Sequence, residues 1–104
     1  MNATVLTAIN DQINSEFEAS YTYLAMAAYC ETKRFRGAAA WLRQQTDEER
    51  QHAMKLFDFV LARGGHVELK AIDQPKVQFE LKRHRHYVNN DRVVRIPGVF
   101  DGNL

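Results

Sequence analysis

The chain has 104 residues and a mass of 12.0 kDa, which fits a single domain. A formal net charge of +1 weighs against wholesale binding of a polyelectrolyte, so nucleic acid is not an expected partner. A hydrophobic fraction of 45% and a mean hydropathy of −0.46 describe a globular chain without a membrane-spanning segment. No basic and then apolar leader is visible, and one cysteine cannot form an intramolecular disulfide. The expected compartment is therefore the cytoplasm.

A first long helix is predicted from Asn2 or Ala3 to about Lys33. This stretch has neither Gly nor Pro and is rich in Ala, Leu, Glu and Gln. Apolar or small residues recur in it at steps of three and four, which predicts an inward stripe of Ile9, Ile13, Ser20, Tyr23, Ala27 and Cys30. A second stripe widens the apolar face with Leu6, Phe17, Leu24 and Ala28.

A second helix is predicted to begin after Arg36-Gly37 and to end at Gly64-Gly65, since paired glycines are a strong C-terminal signal. Its inward stripe comprises Leu42, Gln45, His52, Leu56 and Phe59 or Val60. The segment between the helices, residues 33–37, is short. A short connection favours antiparallel neighbours.

The chain changes character beyond the second helix. We expect residues 1–81 to hold the helical hairpin and a crossover connector, and residues 82–104 to form a basic, poorly helical tail. The charge balance is −2 in the first part and +3 in the second. Within the tail, residues 84–88 and 92–96 favour a small β-hairpin. The predicted fold is all-α, an antiparallel two-helix hairpin with an irregular C-terminal tail.

Three ionisable residues fall on the inward stripes. Glu16 follows Ile13 by three residues on the first helix, and Glu49 and His52 are spaced i, i+3 on the second. In an antiparallel hairpin, two residues at the same distance from the turn lie side by side. The mean of their residue numbers then equals the residue number at the centre of the turn. Glu16 averages to 32.5 with Glu49 and to 34 with His52, close to the predicted turn at 33–37. The three side chains are therefore expected to converge.

Two carboxylates and one imidazole suit iron, manganese or zinc. In a di-metal carboxylate bundle, two helices each supply one Glu and two others each supply Glu-x-x-His. This chain has half of that set, in Glu16 and in Glu49 with His52. The alternative interpretation is an ion pair between Glu16 and His52, because an inward carboxylate must be neutralised, paired or bound to a metal.

Two further residues near this group have alternative interpretations. Tyr23 lies two turns beyond Glu16 on the same face, where it either hydrogen-bonds a ligand, undergoes oxidation or simply packs in the core. Glu48 is either a second acid near the site or a solvated charge. Neither residue decides the chemistry by itself.

Several motifs, in order, resemble those of bacterial non-haem ferritins over residues 5–80. They are Ile9-Asn10-Asp11-Gln12-Ile13-Asn14-Ser15-Glu16, Ala19-Ser20-Tyr21-Thr22-Tyr23-Leu24-Ala25-Met26, Gly37-Ala38-Ala39-Ala40-Trp41-Leu42, Asp47-Glu48-Glu49-Arg50-Gln51-His52-Ala53-Met54-Lys55-Leu56-Phe57-Asp58, and Arg63-Gly64-Gly65 through Ala71-Ile72 to Pro75.

The resemblance implies roles for particular residues. Glu16, Glu49 and His52 match iron ligands of the ferroxidase di-iron centre, Tyr23 matches the tyrosine beside it, and Glu48 matches the acid of an additional iron site. The family oxidises Fe(II) with oxygen or peroxide and stores Fe(III) mineral inside a hollow shell of many subunits. Arg50, where a haem-binding relative would have methionine, weighs against the haem-containing branch.

The resemblance ends near Glu80, and nothing after it resembles the second helix pair of a ferritin subunit. We therefore expect a truncated chain whose di-iron centre is completed between subunits, in a homo-oligomer. Two copies would supply every ligand type twice. The alternative is a non-catalytic hairpin that acts only as an oligomerisation module, pairing with itself or co-assembling with a full-length ferritin.

Overall fold

A computed structural model of the protein describes residues 1–82, 86–89 and 92–95. Its body is two antiparallel helices, α1 (Ala3–Thr32) and α2 (Arg36–Ala62). Three short strands follow, β1 (Glu80–Lys82), β2 (His86–Asn89) and β3 (Arg92–Arg95). The predicted two-helix hairpin is confirmed, with both helices ending within two or three residues of the expected positions.

Both helices end in the same way, with a residue in the left-handed region and two backbone hydrogen bonds that close the last turn. After α1, Arg34 has φ 62°, and the N–H of Phe35 donates to Cys30 O at 2.8 Å. After α2, Gly64 has φ 72°, and the N–H of Gly65 donates to Val60 O at 3.0 Å. These are Schellman ends, which satisfy carbonyls that the helix leaves unpaired. The chain can therefore reverse sharply after each helix.

The interface between α1 and α2 is built largely from small residues. Four of its buried positions are alanines, which lets the two helices approach closely: Ala27, Ala38, Ala39 and Ala53. The largest fully buried side chains are Ile13, Met26, Leu42 and Val60. Midway along the hairpin, the Ser20 hydroxyl donates to Thr46 O at 2.8 Å and so satisfies a buried polar group.

The connector after α2 runs back along α1 in an extended conformation, held by two asparagine side chains. Asn10 Nδ2 donates to His66 O at 3.0 Å, and Asn10 Oδ1 accepts from Glu68 N at 2.9 Å. Asn14 repeats the pattern, because its Nδ2 donates to Glu68 O at 2.8 Å and its Oδ1 accepts from Lys70 N at 2.7 Å. The connector ends at buried Phe79.

The strands form an antiparallel three-stranded sheet in the order β1-β2-β3. In the pairing of β2 with β3, Tyr87 lies opposite Val94 and Val88 opposite Val93. This pairing confirms the predicted β-hairpin within the described residues. An irregular tail was also expected, and the structure has a small sheet there instead. Residues 83–85, 90–91 and 96–104 lie outside the described residues. The boundary at residue 81 remains a prediction.

None of the helices in the part of the chain that the structure describes is long and apolar enough to cross a membrane.

Candidate metal centre

Glu16, Glu49 and His52 come together between the two helices. Each offers one ligand atom, and these atoms all lie within 4.8 Å of one another. His52 Nδ1 is 3.7 Å from Glu16 Oε2 and 3.9 Å from Glu49 Oε1. The spacing i, i+3 puts Glu49 and His52 on one side of α2, and the antiparallel packing brings Glu16 to the same height. Two carboxylates and an imidazole thus meet as the sequence predicted.

The three side chains are not equally covered. The side chains of Glu16 and Glu49 are 16% and 22% exposed, whereas the His52 side chain is 54% exposed. The sequence placed His52 on the inward stripe, and the structure corrects this, because α1 covers only one side of α2. The imidazole therefore lies at the rim of the group, next to solvent.

The two oxygens of the Glu16 carboxylate have different surroundings. Oε1 accepts a hydrogen bond from Gln12 Nε2 at 2.7 Å. Oε2 is buried and has no hydrogen-bond donor among the described residues. A buried carboxylate oxygen without a donor costs free energy, and native structures rarely keep one. A cation, or a proton shared with a neighbouring acid, would compensate for it.

Glu49 is that neighbouring acid. A hydrogen bond to the Glu16 carboxylate, burial and the charge of Glu16 raise the pKa of Glu49 to about 7. The same hydrogen bond, aided by Gln12 and His52, keeps the pKa of Glu16 below its ordinary value although burial opposes this. Since only a protonated carboxyl group can donate, one proton on Glu49 would satisfy the pair when no cation is bound. A divalent cation would replace that proton and neutralise both charges.

The other two residues singled out from the sequence lie outside this group. Tyr23 is half-buried and packs against the core cluster that includes Met26 and Cys30. Seven residues along α1 correspond to a rise of about 10 Å between the backbone positions of Glu16 and Tyr23. Glu48 is half-buried, and the amides of Gln44 and Gln45 each donate to it at 3.4 Å. The catalytic and additional-site roles of these residues stay predictions.

Sequence reasoning missed two structural contributors to the site. Gln12 binds Glu16 directly, and its i, i+4 spacing from Glu16 was the available signal. Asn10 ties α1 to the connector one and a half turns before Glu16. Its position outside the predicted apolar stripe gave no indication of burial, because its partners lie far along the chain.

Comparison with known proteins agrees with the geometry. A family model described as a ferritin-like domain matches residues 6–90. The bacterial non-heme ferritin of Staphylococcus aureus (strain USA300) is 40% identical over 79 residues, which is 76% of this chain and 48% of the relative. The corresponding ferritin of Staphylococcus haemolyticus is 42% identical over 80 residues, or 77% and 48% of the two chains.

Among solved structures, an open-pore ferritin from the archaeon Archaeoglobus fulgidus superposes with a TM-score of 0.71 at 43% identity. The match covers 74% of this chain and 48% of that one. The chain thus spans about half the length of the curated relatives it matches.

Proposed function

The chain belongs to the ferritin family, and we propose that it binds Fe(II) through Glu16, Glu49 and His52 as one half of a di-iron centre that serves iron storage. The observation that carries this proposal is the convergence of the three ligand atoms within 4.8 Å around a buried Glu16 oxygen that lacks a donor. That buried oxygen needs a compensating positive charge, which a bound cation supplies.

The chemistry of the donor set fits iron. Oxygen and imidazole ligands suit Fe(II), and two carboxylates neutralise its charge. Bound iron supplies one-electron chemistry between Fe(II) and Fe(III), with oxygen or peroxide as the electron acceptor. Because the carboxylates carry negative charge, they stabilise Fe(III) more than Fe(II) and so favour oxidation. The role of Glu16 and Glu49 is to hold this charge in a partly buried place.

We propose that the second half of the centre comes from another copy of the chain. Two hairpins related by a two-fold axis would supply Glu16 twice and the Glu49–His52 pair twice, which completes the di-metal ligand set. The surface beside the site supports this. Residues 52, 56 and 59 share one side of α2, and on that side Phe59 is 39% exposed. A second hairpin would cover this apolar surface.

Two competing assemblies lead to different observations. In one, the hairpin co-assembles with a full-length ferritin and the longer subunit supplies the missing ligands. In the other, the hairpin is a non-catalytic oligomerisation module whose acids bind no metal. The first predicts iron binding only in the mixture, and the second predicts none. We propose that either assembly is cytoplasmic, because a chain with one cysteine forms no intramolecular disulfide and needs no oxidising compartment.

Anaerobic Fe(II) titration, followed by oxygen uptake, tests the proposal. We expect two ions per pair of chains, and we expect Glu16→Ala, Glu49→Ala and His52→Ala each to weaken binding at least about 100-fold, because each removes a ligand. Glu18→Ala, which changes an exposed acid on α1, serves as the matched control and should bind like the wild type. Equal Fe(II) binding by wild type and Glu49→Ala would refute the proposed site. Absence of binding by the chain alone would favour co-assembly if binding appears on mixing with a full-length ferritin, and the oligomerisation module if it does not.

A further inference from the structure

Gln12 lies one turn before Glu16 on α1 and contacts only one of its two carboxylate oxygens. Its Nε2 donates to Glu16 Oε1 at 2.7 Å. The other oxygen, Oε2, is buried, has no donor among the described residues, and lies 3.7 Å from His52 Nδ1. One oxygen of the carboxylate is therefore occupied by an amide, and the other faces the remaining ligand atoms.

We propose that Gln12 is a positioning residue that makes Glu16 a one-oxygen metal ligand by holding Oε1 away from the ion. This inference rests on the proposed function. A carboxylate with both oxygens available can chelate a cation, whereas one whose second oxygen accepts a short hydrogen bond is fixed in orientation and binds through the first oxygen alone. The expected consequence is a lower coordination number, which leaves positions on the ion for an oxidant.

Glutamine suits this task for physical reasons. Its side chain reaches the i+4 carboxylate, which the shorter asparagine would not, and its amide donates without adding charge. A lysine would neutralise Glu16, and a glutamate would repel it. Because Gln12 is exposed, its hydrogen bond adds little to the stability of the helix. Loss of the amide should thus be visible at the metal and not in the stability of the fold.

The test uses Co(II), which reports ligand geometry through its visible absorption and does not oxidise in air. The full chain is titrated with Co(II) as wild type, as Gln12→Met and as Gln44→Met. Methionine keeps the length of glutamine but has no donor. Gln44 is the matched control, because its Nε2 donates to Glu48 Oε1 with the same i, i+4 spacing on α2.

We expect the Co(II) absorptivity of Gln12→Met to fall by about twofold or more, because the freed carboxylate chelates and raises the coordination number. Gln44→Met should match the wild type, and the melting temperatures of all three should agree. Identical spectra for wild type and Gln12→Met, with Co(II) bound to both and not to Glu16→Ala, would overturn this inference and leave the proposed function standing. Absence of Co(II) binding by the wild type would overturn both.

Discussion

The carboxyl groups of Glu16 and Glu49 are the pair on which the chemistry of the site depends. They face each other in a partly buried place, where the pKa of Glu49 is raised to about 7 and the pKa of Glu16 is lowered. Two ionised carboxylates at this distance would repel each other with little water to screen the charge. In the metal-free protein, repulsion between these two carboxylates is therefore unfavourable. Bound iron would remove this repulsion, so the arrangement favours binding of a cation.

The first prediction concerns the pH dependence of stability in the metal-free protein. The pKa of Glu49 is about 7 in the folded chain against an ordinary value of 4.5, so the folded state binds more protons between these values. The contribution of Glu49 to the free energy of unfolding should then decline as pH rises from about 4.5 to about 7. The lowered pKa of Glu16 acts oppositely, because its contribution is lost as pH falls.

Glu49→Gln isolates this effect. Its amide can donate to Glu16 at every pH, so above pH 7 the variant should be more stable than the wild type by about 1 to 2 kcal/mol, with the difference shrinking toward pH 5. Urea unfolding at several pH values measures this difference. Glu18→Gln, at an exposed position on α1, is the control and should change nothing. A Glu49→Gln variant less stable than wild type at pH 8 would refute the shared proton.

Tyr23 gives the second prediction at the scale of the residue. The phenol of Tyr23, two turns along α1 from Glu16, is expected to supply a further electron and its proton to the oxygen or peroxide that Fe(II) reduces. Tyr23→Phe should keep Fe(II) affinity within about twofold and lower the oxidation rate severalfold, because packing is retained and only the hydroxyl is lost. Stopped-flow absorbance measures the rate. Tyr21→Phe, at an exposed position, is the control; equal rates in both variants would remove Tyr23 from the mechanism.

At the scale of the element, the two helix ends offer a matched pair of substitutions. Arg34 and Gly64 occupy equivalent left-handed positions, with φ 62° and 72°. A side chain in this region costs about 1 kcal/mol, and a Cβ at Gly64 would meet no atom within 4 Å, so the cost there is purely conformational. Urea unfolding should show Arg34→Gly stabilised by about 0.5 to 1 kcal/mol and Gly64→Ala destabilised by about 1 kcal/mol. Shifts of the same sign would contradict the shared geometry.

The hydrogen bonds between Asn10 and the connector give a further prediction. Asn10→Ala removes the acceptor of Glu68 N–H and the donor to His66 O, and leaves these two backbone groups without their partners. It should cost about 1 to 3 kcal/mol and accelerate hydrogen exchange at the Glu68 and Lys70 amides. Asp11→Ala removes only the exposed ion pair with Lys70 and should cost less than about 0.5 kcal/mol. Unchanged exchange in Asn10→Ala would mean that the connector is held by other contacts.

The sequence predicts the local features of this fold well and the long-range ones poorly. Helix periodicity, the glycine pair and the short turn are local, so both helices and the meeting of Glu16 with Glu49 and His52 follow from them. The partners of Asn10 lie more than fifty residues away, beyond what spacing can show. The exposure of His52 was missed because periodicity shows an apolar side of a helix without showing which part of it a neighbour covers.

At the scale of the whole molecule, the hairpin has an incomplete core. Among the described residues of the two helices, four of the nine buried hydrophobic residues are alanines, which bury little area, while Leu24, Phe59 and Leu61 remain substantially exposed. A chain of this size that leaves such surface uncovered has a small margin of stability. A second copy of the chain that covers the side of α2 bearing His52 would complete both the apolar core and the set of metal ligands. Assembly and metal binding are therefore expected to be coupled.

The last prediction tests that coupling. Sedimentation velocity at micromolar concentration should show a dimer or larger species, and anaerobic Fe(II) should tighten association, because ions that bridge the assembled state stabilise it. Phe59→Glu puts a charge on the side of α2 that carries His52 and should weaken both association and iron binding. Leu61→Glu is the matched control, since nine residues from His52 place Leu61 on the opposite side of α2, where it is 51% exposed. A compact 12.0 kDa monomer that unfolds cooperatively and ignores Fe(II) would refute completion between copies.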